Sequence, residues 1–393
     1  MTEGRPVRHP GELRWETRLL GMVTAVLVVF GIAATYGAAS LVSIKGQSVG
    51  IEFAGRQLIG AILGGALLLL ASRQDYYRWR RWAWPLLFVT VVLLVIALLP
   101  FTTAISPRLN GARRWINLGS ANFQPSELAR LAVVVWCAML ASKKGQQIRE
   151  FKRGVLPFVL ILGLVSLLIL LEPNLSMAIV VGFLGGLVLF TSGAKIGHVI
   201  LLGCVAGILG YHQIRDAQYR LARVATYFNP GDATADANFQ IHQSLVGIGS
   251  GGIFGTGFGA GQQKLGYLPY AYSDFLFSTI GEEWGFFGVF IVVALFAIFC
   301  WLGFRIARTA ADPFVQYLAV GLTATVGLTA FLHMAVSLGM MPTTGLTLPF
   351  MSYGRSSQVI SLLGTGILIN IGRLRGRPAP QKHPRDDRMK GGA

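Results

Sequence analysis

Apolar runs of roughly 16–22 residues, each long enough to cross a ~30 Å hydrocarbon core as a helix, recur along this 393-residue chain. They fall near 19–39, 54–72, 82–99, 126–142, 155–171, 175–191, 197–212, 286–304, 314–335 and 356–371. The shorter runs imply tilted helices or helices that begin below the interface. No polar stretch between them is long enough to bury a core of its own. Only 13% of residues are charged and 53% are hydrophobic, whereas a soluble domain carries nearer a quarter charged. The expectation is an all-α membrane protein of about ten transmembrane helices, forming one polytopic domain over 19–371. A long loop, about 213–285, separates the seventh and eighth helices. Residues 1–18 are polar and the first apolar run is long, so that run is expected to stay as a helix and not to be cleaved. Cys137, Cys204 and Cys300 lie inside apolar runs and form no disulfide framework.

Lys and Arg placement orients the bundle. They concentrate in the N-terminal tail (Arg5, Arg8, Arg14, Arg18), in 73–81, in 143–154, at Lys195, at Arg305 and Arg308, and in the basic tail 372–393. These are alternate connections, so both termini are expected in the cytoplasm. The net charge of +17 therefore reads as topology and contact with anionic membrane lipid. No aromatic-interleaved basic domain points to nucleic acid. The remaining basic residues are stranded against the rule: Lys45, Arg56, Arg108, Arg113, Arg114, Arg130, Arg215, Arg220, Arg223, Lys264 and Arg355. Most sit in or beside the outward segments 100–125, 213–285 and 339–355. The middle segment is too long to be a plain connection. It is apolar, aromatic and Gly-rich, so it is expected to fold against the bundle.

Several polar residues carry two readings. Asp274 follows a Gly-rich run and precedes an apolar stretch; a half-buried carboxylate there suits a general base, but Ser273 or Asp274 would equally suit a helix N-cap. Glu127 and Arg130 are spaced to pair on one helix face, as a structural ion pair or as a functional intramembrane site. Glu172-Pro173 breaks two apolar runs and reads as a helix-ending turn or a buried acid. Asp274 and Glu282 would share a face if both were helical, and such carboxylates suit a divalent cation such as Mg or Mn. Arg113, Arg114, Arg220 and Arg223 suit phosphate oxygens or snorkel to headgroups. The glycines of 247–266 could present backbone N–H groups to a phosphate or allow tight packing. The chain lacks a P-loop, HExxH, zinc spacing and dinucleotide fingerprint. His242 and His333 read as hydrogen-bonded histidines, not ligands.

Several stretches together resemble successive motifs of the SEDS family (shape, elongation, division and sporulation). They are Gly111-Ala112-Arg113-Arg114-Trp115-Ile116, Gln124-Pro125-Ser126-Glu127, Glu172-Pro173, Gln243-Ser244 with Ile248-Gly249-Ser250-Gly251-Gly252, Leu265-Gly266-Tyr267-Leu268-Pro269 with Asp274-Phe275, and Gly345-Leu346-Thr347-Leu348-Pro349-Phe350-Met351-Ser352-Tyr353-Gly354. Their order and the ten-span layout cover nearly the whole chain, and Thr344–Pro349 looks more like the division branch than the elongation branch. This chain departs from the family pattern at four places. Tyr272-Ser273 stands for His-Thr, Asn174 for Asp, Arg130 for Lys, and Gly354-Arg355-Ser356-Ser357 for Gly-Gly-Ser-Ser.

The resemblance implies a peptidoglycan glycan-strand polymerase in the bacterial cytoplasmic (inner) membrane, with an extracytoplasmic active site. Its substrate would be lipid II. Its partners would be a class B penicillin-binding protein and other divisome proteins. Asp274 would be the catalytic base, with substrate contacts at Arg113, Arg114, Glu127, Arg130, Glu172, Arg220, Arg223, Lys264, Ser352 and Ser356. The competing expectations are a lipid II flippase, an elongation-type polymerase and a non-catalytic scaffold for the penicillin-binding protein.

Overall fold

The computed structural model describes residues 15–40, 50–99, 122–216 and 236–374, with isolated positions in the intervening segments. Eleven α-helices carry these residues: α1 (Trp15–Ala39), α2 (Gly50–Arg73), α3 (Tyr77–Leu98), α4 (Pro125–Lys144), α5 (Leu156–Leu171), α6 (Leu175–Thr191), α7 (Ile196–Arg215), α8 (Asp236–Ser250), α9 (Leu276–Arg308), α10 (Pro313–Ser337) and α11 (Arg355–Leu374). Among the described residues nine spans are long and apolar enough to cross a membrane, and α6 is a shorter apolar helix. These ten match the ten runs, with ends shifted by a few residues. The largest shift is in α9, which starts ten residues before the apolar run at 286. The described residues also form two short antiparallel pairs, Ser43–Ile44 with Gln47–Ser48 and Ile116–Asn117 with Asn122–Phe123.

Local chemistry sets the helix ends. In α4, Pro125 occupies the first turn, Glu127 faces the positive end of the dipole, and Lys143 and Lys144 face the negative end. Asp312 caps α10 by accepting from Phe314 N at 2.7 Å. Asn174 caps α6 by accepting from Met177 N at 3.3 Å. The family's Asp and this chain's Asn are equivalent caps, so the departure at 174 keeps the turn.

The helices alternate in direction, and α4, α10 and α11 form the centre. Of α4, the residues from Leu131 to Met139 are all buried. By contrast α7 buries none of its residues and packs on α6. Its apolar faces, like the outer faces of α2, α3 and α5, suit acyl chains. Between membrane helices, close backbone approach replaces the hydrophobic drive. The most extensive pairing, α2 with α11, shows this at Gly366, where an added Cβ would lie 2.4 Å from Leu68 O.

The described part of the long loop folds against the bundle, as its composition suggested. Ser244 of α8 donates to Ser337 O at 2.7 Å, and Ser278 of α9 donates to Ser244 O at 2.7 Å. The Gly-rich run then wraps a break in α9. Gly285 takes φ +66 inside that helix, and the freed backbone groups pair across. Thr256 N donates to Glu282 O at 2.9 Å, Gly257 N to Glu283 O at 3.1 Å, and Phe286 N to Gly252 O at 2.9 Å. The glycines here serve packing.

Candidate active site at one end of the bundle

One end of the bundle gathers the C-termini of α1, α3, α5 and α10 with the N-termini of α2, α4, α6, α9 and α11. The segment 338–354 re-enters the bundle there. Leu346, Leu348, Phe350 and Met351 are buried, so its polar backbone needs partners. Gln57 of α2, fully buried, donates to Ser352 O at 2.9 Å and Met351 O at 3.3 Å, and accepts from Gly354 N at 3.3 Å. Thr35 of α1 donates to Met351 O at 3.2 Å. His333 Nδ1 pairs with Leu346 O at 2.8 Å, so it is a satisfied histidine on that side of the ring. His242 is exposed on α8.

Asp274 sits half-buried against this segment. A Cβ built on Gly345 would lie 3.7 Å from Asp274 Oδ2, and Tyr353 N donates to Tyr272 O at 3.1 Å. The N-cap position falls on Phe275 and not on Ser273 or Asp274, because α9 starts at Leu276. Tyr272 lies within the field of Asp274. Its phenol is raised above the ordinary value by burial first, with neighbouring Tyr270, Tyr353 and the Asp274 carboxylate adding to the shift.

Behind the re-entrant segment lies a buried polar network. Glu127 and Arg130 form a salt bridge within α4. Arg130 also donates to Thr329 Oγ1 of α10 at 3.0 Å and to Ser357 Oγ of α11 at 3.3 Å. Thr347 donates to Ser357 Oγ at 3.0 Å. Both readings of the pair therefore stay linked: it is an ion pair, and it joins two central helices to the segment that carries Gly345. Arg130 also lines a cavity of about 20 Å³ with Thr325, Ser361 and Thr365, room for about one water.

The other sequence-predicted contacts are drawn into the scaffold. Lys264 Nζ is buried and donates to Gly259 O at 2.5 Å, Glu283 Oε1 at 3.0 Å, Gly37 O at 3.1 Å and Ser40 Oγ at 3.1 Å. An ammonium has three donors, so none remains for a substrate. Ser352 Oγ accepts from Leu348 N at 3.0 Å. Ser356 Oγ accepts from Gln124 N at 3.1 Å. Arg113 donates to Leu99 O at 2.8 Å and Arg114 to Glu172 O at 3.0 Å, cations at the negative ends of α3 and α5. Arg220 donates to Gln213 O at 2.9 Å. Arg223 lies outside the described residues.

Glu172 ends α5, as a helix-ending turn would, and it is also a buried acid. It is 0% exposed, and neither carboxylate oxygen has a hydrogen-bond partner among the described residues. Burial pushes its pKa up to about 8, against a downward pull from Arg114.

The expected Asp274–Glu282 cation pair does not form a donor set. Glu282 Oε1 accepts from Gln262 N at 2.6 Å and Gln263 N at 3.2 Å, so its carboxylate ties down the Gly-rich run. Among the described residues no group of three His, Cys, Asp or Glu side chains could hold a metal ion. Asp274 is also not on the helix that carries Glu282, which removes the shared face.

Sequence reasoning passed over Phe53, Gln57, Thr347, Tyr353 and Ser357 as site residues. The 345–354 motif, Asp274, Ser352, Ser356 and the stranded charges Arg56 and Arg355 flagged this neighbourhood, but not these five side chains. Arg56 pairs with Glu52 on α2 and lies within hydrogen-bonding reach of Tyr353. Arg355 is the first residue of α11.

These features define a multi-pass helical membrane protein with a half-buried carboxylate, a pinned re-entrant segment and an arginine-bearing rim at one end. A family model described as cell cycle protein, covering FtsW, RodA and SpoVE, matches residues 17–376, and the chain belongs to that family. It is 38% identical over 366 residues to a probable peptidoglycan glycosyltransferase FtsW of Geobacter sulfurreducens, covering 93% of this chain and 97% of that one. It is 35% identical over 357 residues to stage V sporulation protein E of Bacillus subtilis, covering 90% and 96%. Among solved structures, a chain of a peptidoglycan synthase complex that coordinates polymerization and crosslinking aligns with a TM-score of 0.75. The identity is 28%, with 91% and 98% of the two chains covered. The Thermus thermophilus rod shape determining protein RodA aligns with a TM-score of 0.65 at 26% identity, over 91% and 97%.

Proposed function

We propose that this chain polymerises glycan strands from lipid II at the outer face of the bacterial cytoplasmic membrane, in septal cell-wall synthesis. It would work with a class B penicillin-binding protein and the division machinery. The observation that carries the reading is Asp274, half-buried at the bundle rim and held beside Gly345. The names of the FtsW relatives and the likeness to a peptidoglycan synthase supply the reaction class. Lys and Arg placement supplies the orientation, with both termini inside and the Asp274 end outside.

In the proposed step the acceptor's 4-hydroxyl oxygen attacks C1 of the donor sugar. Its proton passes to the Asp274 carboxylate, the C1–oxygen bond to the lipid pyrophosphate breaks, and C1 inverts. The departing pyrophosphate gathers negative charge and needs cations more than a general acid. Arg56 and Arg355 lie on the same rim and are candidates for this role, beside Arg113, Arg114 and Arg220, whose donors also hold backbone carbonyls or, for Arg220, Gln213. The network through Glu127 and Arg130 braces the re-entrant segment against Asp274.

The test is polymerisation of lipid II by the purified protein with its penicillin-binding partner. Wild type should make moenomycin-insensitive strands, and Asp274→Ala should abolish them while complex formation survives. Strands made by Asp274→Ala would remove the general-base role. If wild type makes none but scrambles lipid II in liposomes, a flippase replaces the polymerase.

A further inference from the structure

Three aromatic rings from three separate segments meet on the Asp274 rim. Phe53 of α2 lies 4.7 Å from Tyr272 and 4.7 Å from Tyr353, centroid to centroid, at interplanar angles of 36° and 46°. Tyr272 and Tyr353 meet edge to face at 5.8 Å. All three are half-buried, as is Asp274, so part of each ring is accessible. The cluster is rigid. Tyr353 N is bonded to Tyr272 O, and Gln57, one turn from Phe53, clamps the residues before Tyr353. Tyr272 is two residues from Asp274 and feels its charge.

We propose that Phe53, Tyr272 and Tyr353 form a stacking platform for a sugar ring of the substrate, setting that ring's height and tilt over Asp274. The inference rests on the glycosyl-transfer reading. Aromatic faces suit the apolar C–H face of a pyranose, while its hydroxyls are left for polar neighbours such as Arg56. An interfacial aromatic belt would also expose tyrosines at membrane ends. A belt spreads rings around the perimeter, whereas these three interlock from α2, the segment before α9 and the re-entrant segment. Tyr272 occupies one of the positions where the chain departs from its family's pattern, so the platform is a property of this chain's own residues.

The test compares Tyr272→Leu and Phe53→Leu, which keep apolar bulk but lose the ring face, with Tyr272→Phe, which keeps the ring. Each is assayed in complex with the penicillin-binding partner. Two quantities are read: KM and kcat for strand synthesis, and direct binding of lipid II against undecaprenyl pyrophosphate, which lacks the sugars. The Leu variants should raise KM and weaken lipid II binding about three- to tenfold, the range of a lost aromatic contact. Binding of undecaprenyl pyrophosphate should be unchanged, and Tyr272→Phe, which keeps the ring, should retain more lipid II binding than Tyr272→Leu. Unchanged lipid II binding in both Leu variants, or equal losses for both ligands, would overturn the platform. If wild type binds lipid II but does not polymerise it, the polymerase reading fails while the binding arm still decides the platform. Should Tyr272→Leu not fold, Phe53→Leu on the neighbouring helix carries the same comparison.

Discussion

Glu172 is a carboxylic acid whose environment opposes its charge. The neutral acid is preferred in the fold up to about pH 8, while an unfolded glutamate ionises near its ordinary value of about 4.3. Between those two values the folded state holds a proton that the unfolded state has lost, so stability falls as pH rises through this window and levels off above it. Glu172→Gln removes the titration. The expected outcome is a variant more stable than wild type at pH 8 by about 2–4 kcal/mol, with the gap shrinking towards pH 5. Thermal unfolding in detergent at both pH values checks it, and an equal gap at both would refute the assignment. At the same scale, Asn174 shows how a lost charge can be structurally silent, because its amide oxygen serves as the cap.

At the scale of elements, the break in α9 and the loop around it depend on two features. Gly285 takes φ +66, and an added Cβ would lie 2.3 Å from Gly255 N. Gly285→Ala therefore combines backbone strain with a clash that the backbone cannot relieve. It should cost about 3 kcal/mol or more, visible as a lowered Tm. Lys264 joins the loop to α1 and to Glu283, all buried. Lys264→Met strands the Glu283 carboxylate and should destabilise by about 3–5 kcal/mol. Adding Glu283→Leu should recover part of that loss, and no recovery would mean the ion pair is not the link.

For the whole molecule, the candidate site lies at one end because helices that alternate in direction bring every second connection to the same side. The proposed orientation rests on the charge pattern and is open to a direct check. In a background with Cys204 replaced by Ser, Tyr267→Cys, exposed beside the Gly-rich run, should react with a membrane-impermeant maleimide in intact cells stripped of their outer layers. Gln146→Cys, exposed after α4, should react only once the membrane is opened. The reverse pattern would invert the topology and place Asp274 inside.

The ten spans, the helix-ending turn at Glu172-Pro173 and the packing of the described part of the loop were legible in the sequence. Hydrophobic length, proline and capping chemistry are local, so the chain carries them without knowing its neighbours. The candidate site was legible only in part. The motif resemblance pointed to Asp274, yet it also gathered Lys264, Ser352 and Ser356 as contacts, and these proved to be internal partners of backbone and side-chain groups. A residue type does not say which way its donors point. Phe53 and Gln57, one turn apart on α2, are separated from Tyr353 by some three hundred residues of chain, with no spacing signal to join them to it. Their meeting beside Asp274 depends on the packing of α2 against α11 and on the re-entry of 338–354. The sequence by itself determined that this chain must be a membrane helix bundle with stranded charge at one face, because burying apolar length is a one-dimensional requirement. Which of those charges brace the scaffold and which surround the carboxylate was decided by the tertiary structure, because every buried donor has to find an acceptor within about 3 Å, and only the packed helices bring those partners together.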